Sequence, residues 1–194
     1  MIRIIIISLS VLLMSACGQA PPVPTDYFYK LTLPQGEIEK KNITDKVIYI
    51  SGFNAEGLYN ERALLYINDN DGRQLVQHHY HFWVTSPPRL LQDFLIKYLH
   101  YSTNSTMIVT GPASTDSIKI SAKVLQFEYQ TTGSKNSANV AIEFRVDYYG
   151  KDLPILVKQY KTEETFKGSN IEDIVAAFNQ GVLNIFSQFL GDLK

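Results

Sequence analysis

Between Ala138 and Tyr148 apolar and polar side chains alternate, Ala141 apart. Ala138, Val140, Ile142, Phe144, Val146 and Tyr148 fall on one side of an extended chain, with Asn139, Glu143, Arg145 and Asp147 on the other. A period of two is that of an antiparallel strand with one buried and one wet face. Such a strand needs an apolar partner layer. The chain supplies one at its end, where Ile171, Ile174, Val175, Phe178, Val182, Ile185, Phe186, Phe189 and Leu193 recur at helical spacing. This helix opens at Ser169-Asn170-Ile171-Glu172, which reads as a capping box. Gly181 in its middle costs about 1 kcal/mol against Ala, a loss that close packing on a sheet would explain.

The remaining elements fall on either side of a second helix. Upstream, strands are predicted over residues 27–33, 46–51, 63–67 and 74–80, the last two joined by the turn signal Asp69-Asn70-Asp71-Gly72. Ser86-Pro87-Pro88 starts the helix, with Ser86 as N-cap and Pro87 at the first helical position. Leu90, Leu91, Phe94, Leu95, Tyr98 and Leu99 form its buried face. Strands follow over 107–110 and 118–129. In the second, the apolar phase runs Ile118, Ile120, Ala122, Val124 and then slips to Leu125, Phe127, Tyr129, which predicts a β-bulge at Val124-Leu125. Gly150-Lys151-Asp152 turns the alternating strand into a partner over 153–165. The order β-β-β-β-α-β-β-β-β-α predicts one α/β sandwich domain, a mixed and largely antiparallel sheet packed by two main helices.

The N-terminus fixes where that domain folds. Arg3, an apolar run from Ile4 to Met14, and Ser15-Ala16 before Cys17 are the three parts of a secretory signal. The run is too short to span a bilayer, which needs about 20 residues. Met14-Ser15-Ala16-Cys17 fits a lipobox, so residues 1–16 read as a lipoprotein signal peptide and Cys17 as the site of lipid attachment. Residues 17–26 are the lipidated N-terminus and a proline-containing tether, extended at ~3.1 Å per residue, and residues 27–194 are the domain. Gly18 is not the Asp that retains lipoproteins at the inner membrane, which points to the periplasmic face of the outer membrane. Cys17 is the only cysteine, so the domain has neither a disulfide nor a cysteine metal site.

Charge and motifs exclude several function classes. Cleavage removes Arg3 from the 18 Lys and Arg and none of the 19 Asp and Glu, taking the net charge from −1 to about −2. That balance gives no case for nucleic acid. His78, His79 and His81 are clustered; as a regular strand, His79 and His81 share a face and His78 points away. Two imidazoles need further ligands to hold a metal, and a polar strand edge is the simpler reading. Asn68 to Gly72 resembles a calcium loop, but placing Gly72 at position six puts Ile67 at position one and His78 at position twelve, where acids are required. No nucleophile elbow, phosphate loop, dinucleotide fingerprint or zinc-protease motif is present. The sequence therefore predicts no enzyme, no cofactor and no metal. The aromatic content, 12%, suits either a tight core or a carrier of a lipid or other apolar ligand.

The stretch from Leu58 to Leu99 carries a family resemblance. Tyr27–Leu31, Arg62, Leu65-Tyr66, Trp83, Ser86-Pro87 and the apolar helix Leu90–Leu99 stand in the order found in the ABC-type transport auxiliary lipoprotein family. The lipobox, length and C-terminal helix agree; Pro88 and the His-rich strand depart from the pattern. The resemblance implies a non-catalytic auxiliary component of an envelope lipid-transport system, docking a conduit built of MCE-domain protein at the outer membrane. Its partners would then be an MCE-domain protein and, through Cys17, the membrane; a homo-oligomer is open as well. Arg62, Tyr66 and Trp83 become candidates for a partner interface or for a structural motif.

Overall fold

A computed structural model describes residues 23–36, 40, 42–68, 71–104, 107–110, 116–131, 136–168 and 170–193. The signal sequence, Cys17, most of the tether, Asp69-Asn70 and Ser169 lie outside the described residues. The strands are β1 Tyr27–Tyr29, β2 Val47–Ala55, β3 Ala63–Ile67, β4 Leu75–Trp83, β5 Ile108–Val109, β6 Ser117–Gln130, β7 Ser137–Tyr148 and β8 Leu156–Thr165. The helices are α1 Pro87–Ser102, between β4 and β5, and α2 Ile171–Asp192.

One long strand organises the sheet. β7 runs antiparallel to β6 along its whole length and β8 antiparallel to β7. Along the other side of β6, β2 pairs parallel with its first half and β3 with its last three residues. Between them the chain steps out of the sheet in a 3₁₀ turn, Gly57–Asn60, entered through Gly57 at φ +55°. β4 returns antiparallel to β3, β1 adds in parallel to β4, and β5 adds in parallel to β2. β1, β5 and β8 are thus edge strands.

Both helices cover one face of this sheet. α1 lies on β2 and β6, and α2 on β7 and β8. They meet through Phe94 and Tyr98 against Phe186, while Phe144 of the sheet stacks on Phe189 at 4.0 Å. All six predicted α1 core residues face inward; five are buried and Tyr98 is half-buried. An added Cβ at Gly181 would stand 2.8 Å from Thr162 Oγ1 and 3.3 Å from Glu164 Cγ. The mid-helix glycine therefore lets α2 approach the backbone of β8.

The predicted bulge in β6 is present. Val124 pairs with Ile142 and Gln126 with Ala141, which leaves Leu125 as the extra residue. The phase slip keeps both Val124 and Phe127 buried on the helix side.

Four expectations are corrected. The first strand ends at Tyr29 rather than residue 33, because β4 ends at Trp83 and the last ladder bond is Val84 N–H to Tyr29 O at 2.9 Å. From there the chain crosses to the helices, where the Thr32 N–H donates to Asn179 Oδ1 at 2.7 Å. The cap of α2 is Asn170, whose Oδ1 accepts from Asp173 N–H at 2.7 Å, one residue later than the predicted start. β8 starts at Leu156, leaving residues 153–155 in the hairpin connection. Asn139, expected to face water, is 8% exposed. It lies opposite Glu128, itself 2% exposed.

Candidate functional site

The three residues that the sequence singles out beyond Cys17 converge on β3 and β4, but their side chains separate. Trp83 N–H donates to Arg62 O at 2.7 Å, and Arg62 Nε donates back to Trp83 O at 3.3 Å. This reciprocal pair clamps the start of β3 to the end of β4. The Trp83 indole turns into the core, 1% exposed, against Phe127 at 5.1 Å and Phe178 at 5.4 Å. The Arg62 guanidinium lies on the opposite face, 5.2 Å from the ring of Phe28. Phe28 in turn stacks on Phe82 at 5.8 Å. Arg62, Phe28 and Phe82, with Asp26, Glu61 and Gln77, line an open groove of about 300 Å³ at the β1 edge. Phe28 is 53% exposed there, while Tyr27 turns to the other face and stacks on His81.

Tyr66 belongs to a different cluster, on the helix side of the sheet. Its ring lies 5.0 Å from His78 and 5.8 Å from Tyr129. His78 Nε2 and Tyr129 OH are hydrogen-bonded. The His78 ring meets His81 edge-on at 5.2 Å, and His81 Nδ1 is hydrogen-bonded to Tyr29 OH at 2.8 Å. Here the strand-parity argument fails: His78 and His81 share a face and His79 points away. The reason is a large irregularity in β4. Leu65 pairs with Gln77 and Ala63 with Phe82, so two steps along β3 match five along β4 and the period of two is broken between the histidines. Burial holds the His78 imidazole below its ordinary pKa, helped by His81 and His79. Burial likewise pushes the Tyr129 phenol up to about 12, helped by Tyr66. Neutral imidazole and protonated phenol can share a hydrogen bond without charge separation. Among the described residues no group of three or more His, Cys, Asp or Glu is arranged to hold a metal.

A buried acid lies across the sheet from this cluster. Glu128 is 2% exposed, accepts from Phe127 N–H at 3.0 Å and Gln126 Nε2 at 3.3 Å, and is hydrogen-bonded by Tyr59 of the 3₁₀ turn. Burial raises the Glu128 carboxyl pKa against the lowering effect of the Tyr59 and Phe127 bonds. Nothing in the sequence marked Glu128 as buried, because its cover comes from a turn that has no hydrophobic period.

A third surface lies at the other end of β6. Tyr149, Leu153, Ile155 and Val157 of the β7–β8 hairpin and edge are all at least half exposed. The groove lies level with Gln126–Glu128 of β6 through β3, and the hairpin level with Ile118. At ~3.3 Å per strand residue the two are about 30 Å apart along the sheet.

The sequence profile of the family described as ABC-type transport auxiliary lipoprotein component matches residues 35–188. That span takes in β2 to β8, α1 and most of α2. No curated protein sequence matches the chain. Among solved structures, a Xanthomonas campestris protein of family DUF330 superimposes with a TM-score of 0.74 at 13% identity, over 85% of this chain and 93% of its own. An uncharacterized protein gives 0.69 at 12% identity, over 88% and 100%. A hypothetical protein of Chlamydia trachomatis gives 0.50 at 10% identity, over 76% and 98%. At these identities the likeness is one of fold. No helix among the described residues is long and apolar enough to cross a membrane.

Proposed function

The chain belongs to the family of ABC-type transport auxiliary lipoprotein components, and from that premise we propose that it is the non-catalytic lipoprotein of an MCE-type envelope lipid-transport system. In this reading Cys17 carries the lipid, the domain stands at the periplasmic face of the outer membrane, and an MCE-domain protein docks on it. The observation that carries the reading is the family match over nearly the whole domain. Family membership implies an envelope lipoprotein with transport-complex partners; the identity of the conduit and the choice of membrane are the proposal.

The geometry supports a division of labour between the two ends of the sheet. The tether enters at β1, so the β1 edge is the end nearest the acylated cysteine. The hairpin with Tyr149, Leu153, Ile155 and Val157 projects about 30 Å further along β6, where a conduit arriving from the inner membrane would meet it. Exposed apolar side chains grouped at one place mark protein-binding surfaces. Arg62 and Trp83 act as the clamp between β3 and β4, and Tyr66 braces the histidine cluster behind them. Part of the aromatic content is taken up by the core, where Trp83, Phe127, Phe144, Phe178, Phe186 and Phe189 are fully buried.

The test is affinity purification of the acylated protein in mild detergent. An MCE-domain protein should copurify with the wild-type chain and be lost with Ile155→Asp and Val157→Asp, which alter exposed positions. Recovery of no envelope transporter component would count against the reading. Cys17→Ala should abolish acyl labelling, and unchanged labelling would refute the anchor.

A further inference from the structure

The groove at the β1 edge holds charge that the fold does not neutralise. Asp26, Glu61 and Arg62 line it together with Phe28 and Phe82. Arg62 Nε is tied to the Trp83 carbonyl, yet among the described residues neither Arg62 nor either carboxylate forms a salt bridge. One guanidinium, two carboxylates and an aromatic wall thus face one open space of about 300 Å³. An anion alone would satisfy Arg62 and be repelled by the carboxylates. A cation alone would do the reverse. A zwitterion whose two charges are a few ångströms apart satisfies both signs, with its apolar part against Phe28 and Phe82.

The place of the groove selects among zwitterions. Asp26 is nine residues after Cys17 in sequence, a span of at most about 30 Å even as an extended polyproline-like tether at ~3.1 Å per residue. Phe28 in its wall is half exposed, and aromatic rings favour the headgroup region of a bilayer. We propose that this groove seats the phosphoethanolamine headgroup of a phospholipid in the membrane that anchors Cys17, so that the domain rests on the lipid surface by its β1 edge. Arg62 takes the phosphate in charge-assisted hydrogen bonds, Asp26 and Glu61 take the primary ammonium, and the glycerol and first methylenes meet the two phenyl rings. A headgroup of phosphatidylglycerol offers the phosphate but nothing for the carboxylates. The proposal rests on acylation of Cys17.

The experiment places a benzophenone amino acid at position 28, or at the control position 153, of the full acylated chain. The chain is reconstituted in vesicles of equimolar phosphatidylethanolamine and phosphatidylglycerol, and phospholipid adducts are read by mass spectrometry after irradiation. Position 28 should give about tenfold more phosphatidylethanolamine adduct than position 153, the ratio that 1.4 kcal/mol provides. It should also prefer phosphatidylethanolamine over phosphatidylglycerol. Arg62→Gln removes the phosphate contact common to both lipids and should lower the adduct yield from each severalfold. Asp26→Asn, at an exposed residue outside every strand, should weaken the preference severalfold without disturbing the fold. Equal adducts at the two positions, or equal yields from the two lipids, would overturn the proposal. So would protection of the groove by millimolar free phosphoethanolamine with no phosphatidylethanolamine adduct from the vesicles, which would assign the groove to a soluble ligand. The two readings fail separately: an intact mass without acyl groups on Cys17 refutes the anchor. The lipid preference, measured with the unacylated Cys17→Ser chain added to the same vesicles, refutes or sustains the headgroup seat.

Discussion

Replacing Gly181 by Ala sets two effects of opposite sign against each other. In an exposed helix interior the change stabilises by about 1 kcal/mol. Here the new methyl would stand 2.8 Å from Thr162 Oγ1, inside any real contact, and 3.3 Å from Glu164 Cγ. Overpacking of this kind costs about 1–3 kcal/mol, so Gly181→Ala should destabilise by up to about 2 kcal/mol, or some 2–4 °C in Tm for each kcal/mol. Thr162 is the group in the way. Its hydroxyl is buried without a hydrogen-bond partner among the described residues, so Thr162→Ala loses a methyl contact but also removes an unsatisfied polar group, and should be close to neutral. The double variant then keeps the helix gain and sheds the clash, with Glu164 free to shift its flexible side chain. Urea unfolding of the four forms in a Cys17→Ser background should give a favourable coupling of about 1–3 kcal/mol. Additivity within about 0.5 kcal/mol, or stabilisation by Gly181→Ala alone, would refute the argument that β8 dictates this glycine.

Three further outcomes follow from the polar groups. Glu128 has a folded pKa above its unfolded value of 4.5, so its contribution is fully present below pH 4.5 and is lost as the pH rises through the folded pKa. Glu128→Gln should therefore gain stability relative to wild type on going from pH 4 to pH 8, and Tyr59→Phe should raise the carboxyl pKa further by carbon-13 NMR; a lowered pKa would contradict the burial account. His78 is the reverse case, held below 6.5 when folded, so its contribution is present above pH 6.5 and is lost as pH falls toward the folded pKa. His78→Phe should flatten that stretch of the stability profile in thermal melts, and an unchanged slope would show that another group titrates there. Arg62→Lys should cost about 1–2 kcal/mol in urea unfolding, because an ammonium cannot both hold the Trp83 carbonyl and cover the Phe28 ring; a cost equal to zero would remove the clamp.

Where periodicity carried the reading, the sequence was sufficient. The α2 stripe, the α1 face, the order of elements and the bulge at Leu125 all follow from which residues are apolar and how they are spaced. The Arg62–Trp83 pairing was legible only as two residues worth watching, since a backbone clamp leaves no pattern in side-chain type. The histidine cluster was misread because parity assumes an unbroken ladder, and β4 breaks its own between Gln77 and Phe82. Asn139 and Glu128 were opaque for a related reason. Glu128 is bonded by Tyr59 of a 3₁₀ turn that leaves the sheet, and Asn139 sits beside Glu128 on the next strand, tertiary events that no local window contains. The groove combines residues from Asp26 to Phe82 and exists only once β1 has joined β4 in parallel.

The central claim is that this lipoprotein presents its β7–β8 hairpin to an MCE-domain conduit, and in-cell cross-linking at Ile155 tests it most directly. With a photoreactive side chain at that position of the acylated protein, the account predicts a covalent adduct to an MCE-domain protein, absent when the same group is placed at Phe28. An adduct pattern at Ile155 that contains no component of an ABC or MCE transport system would contradict it.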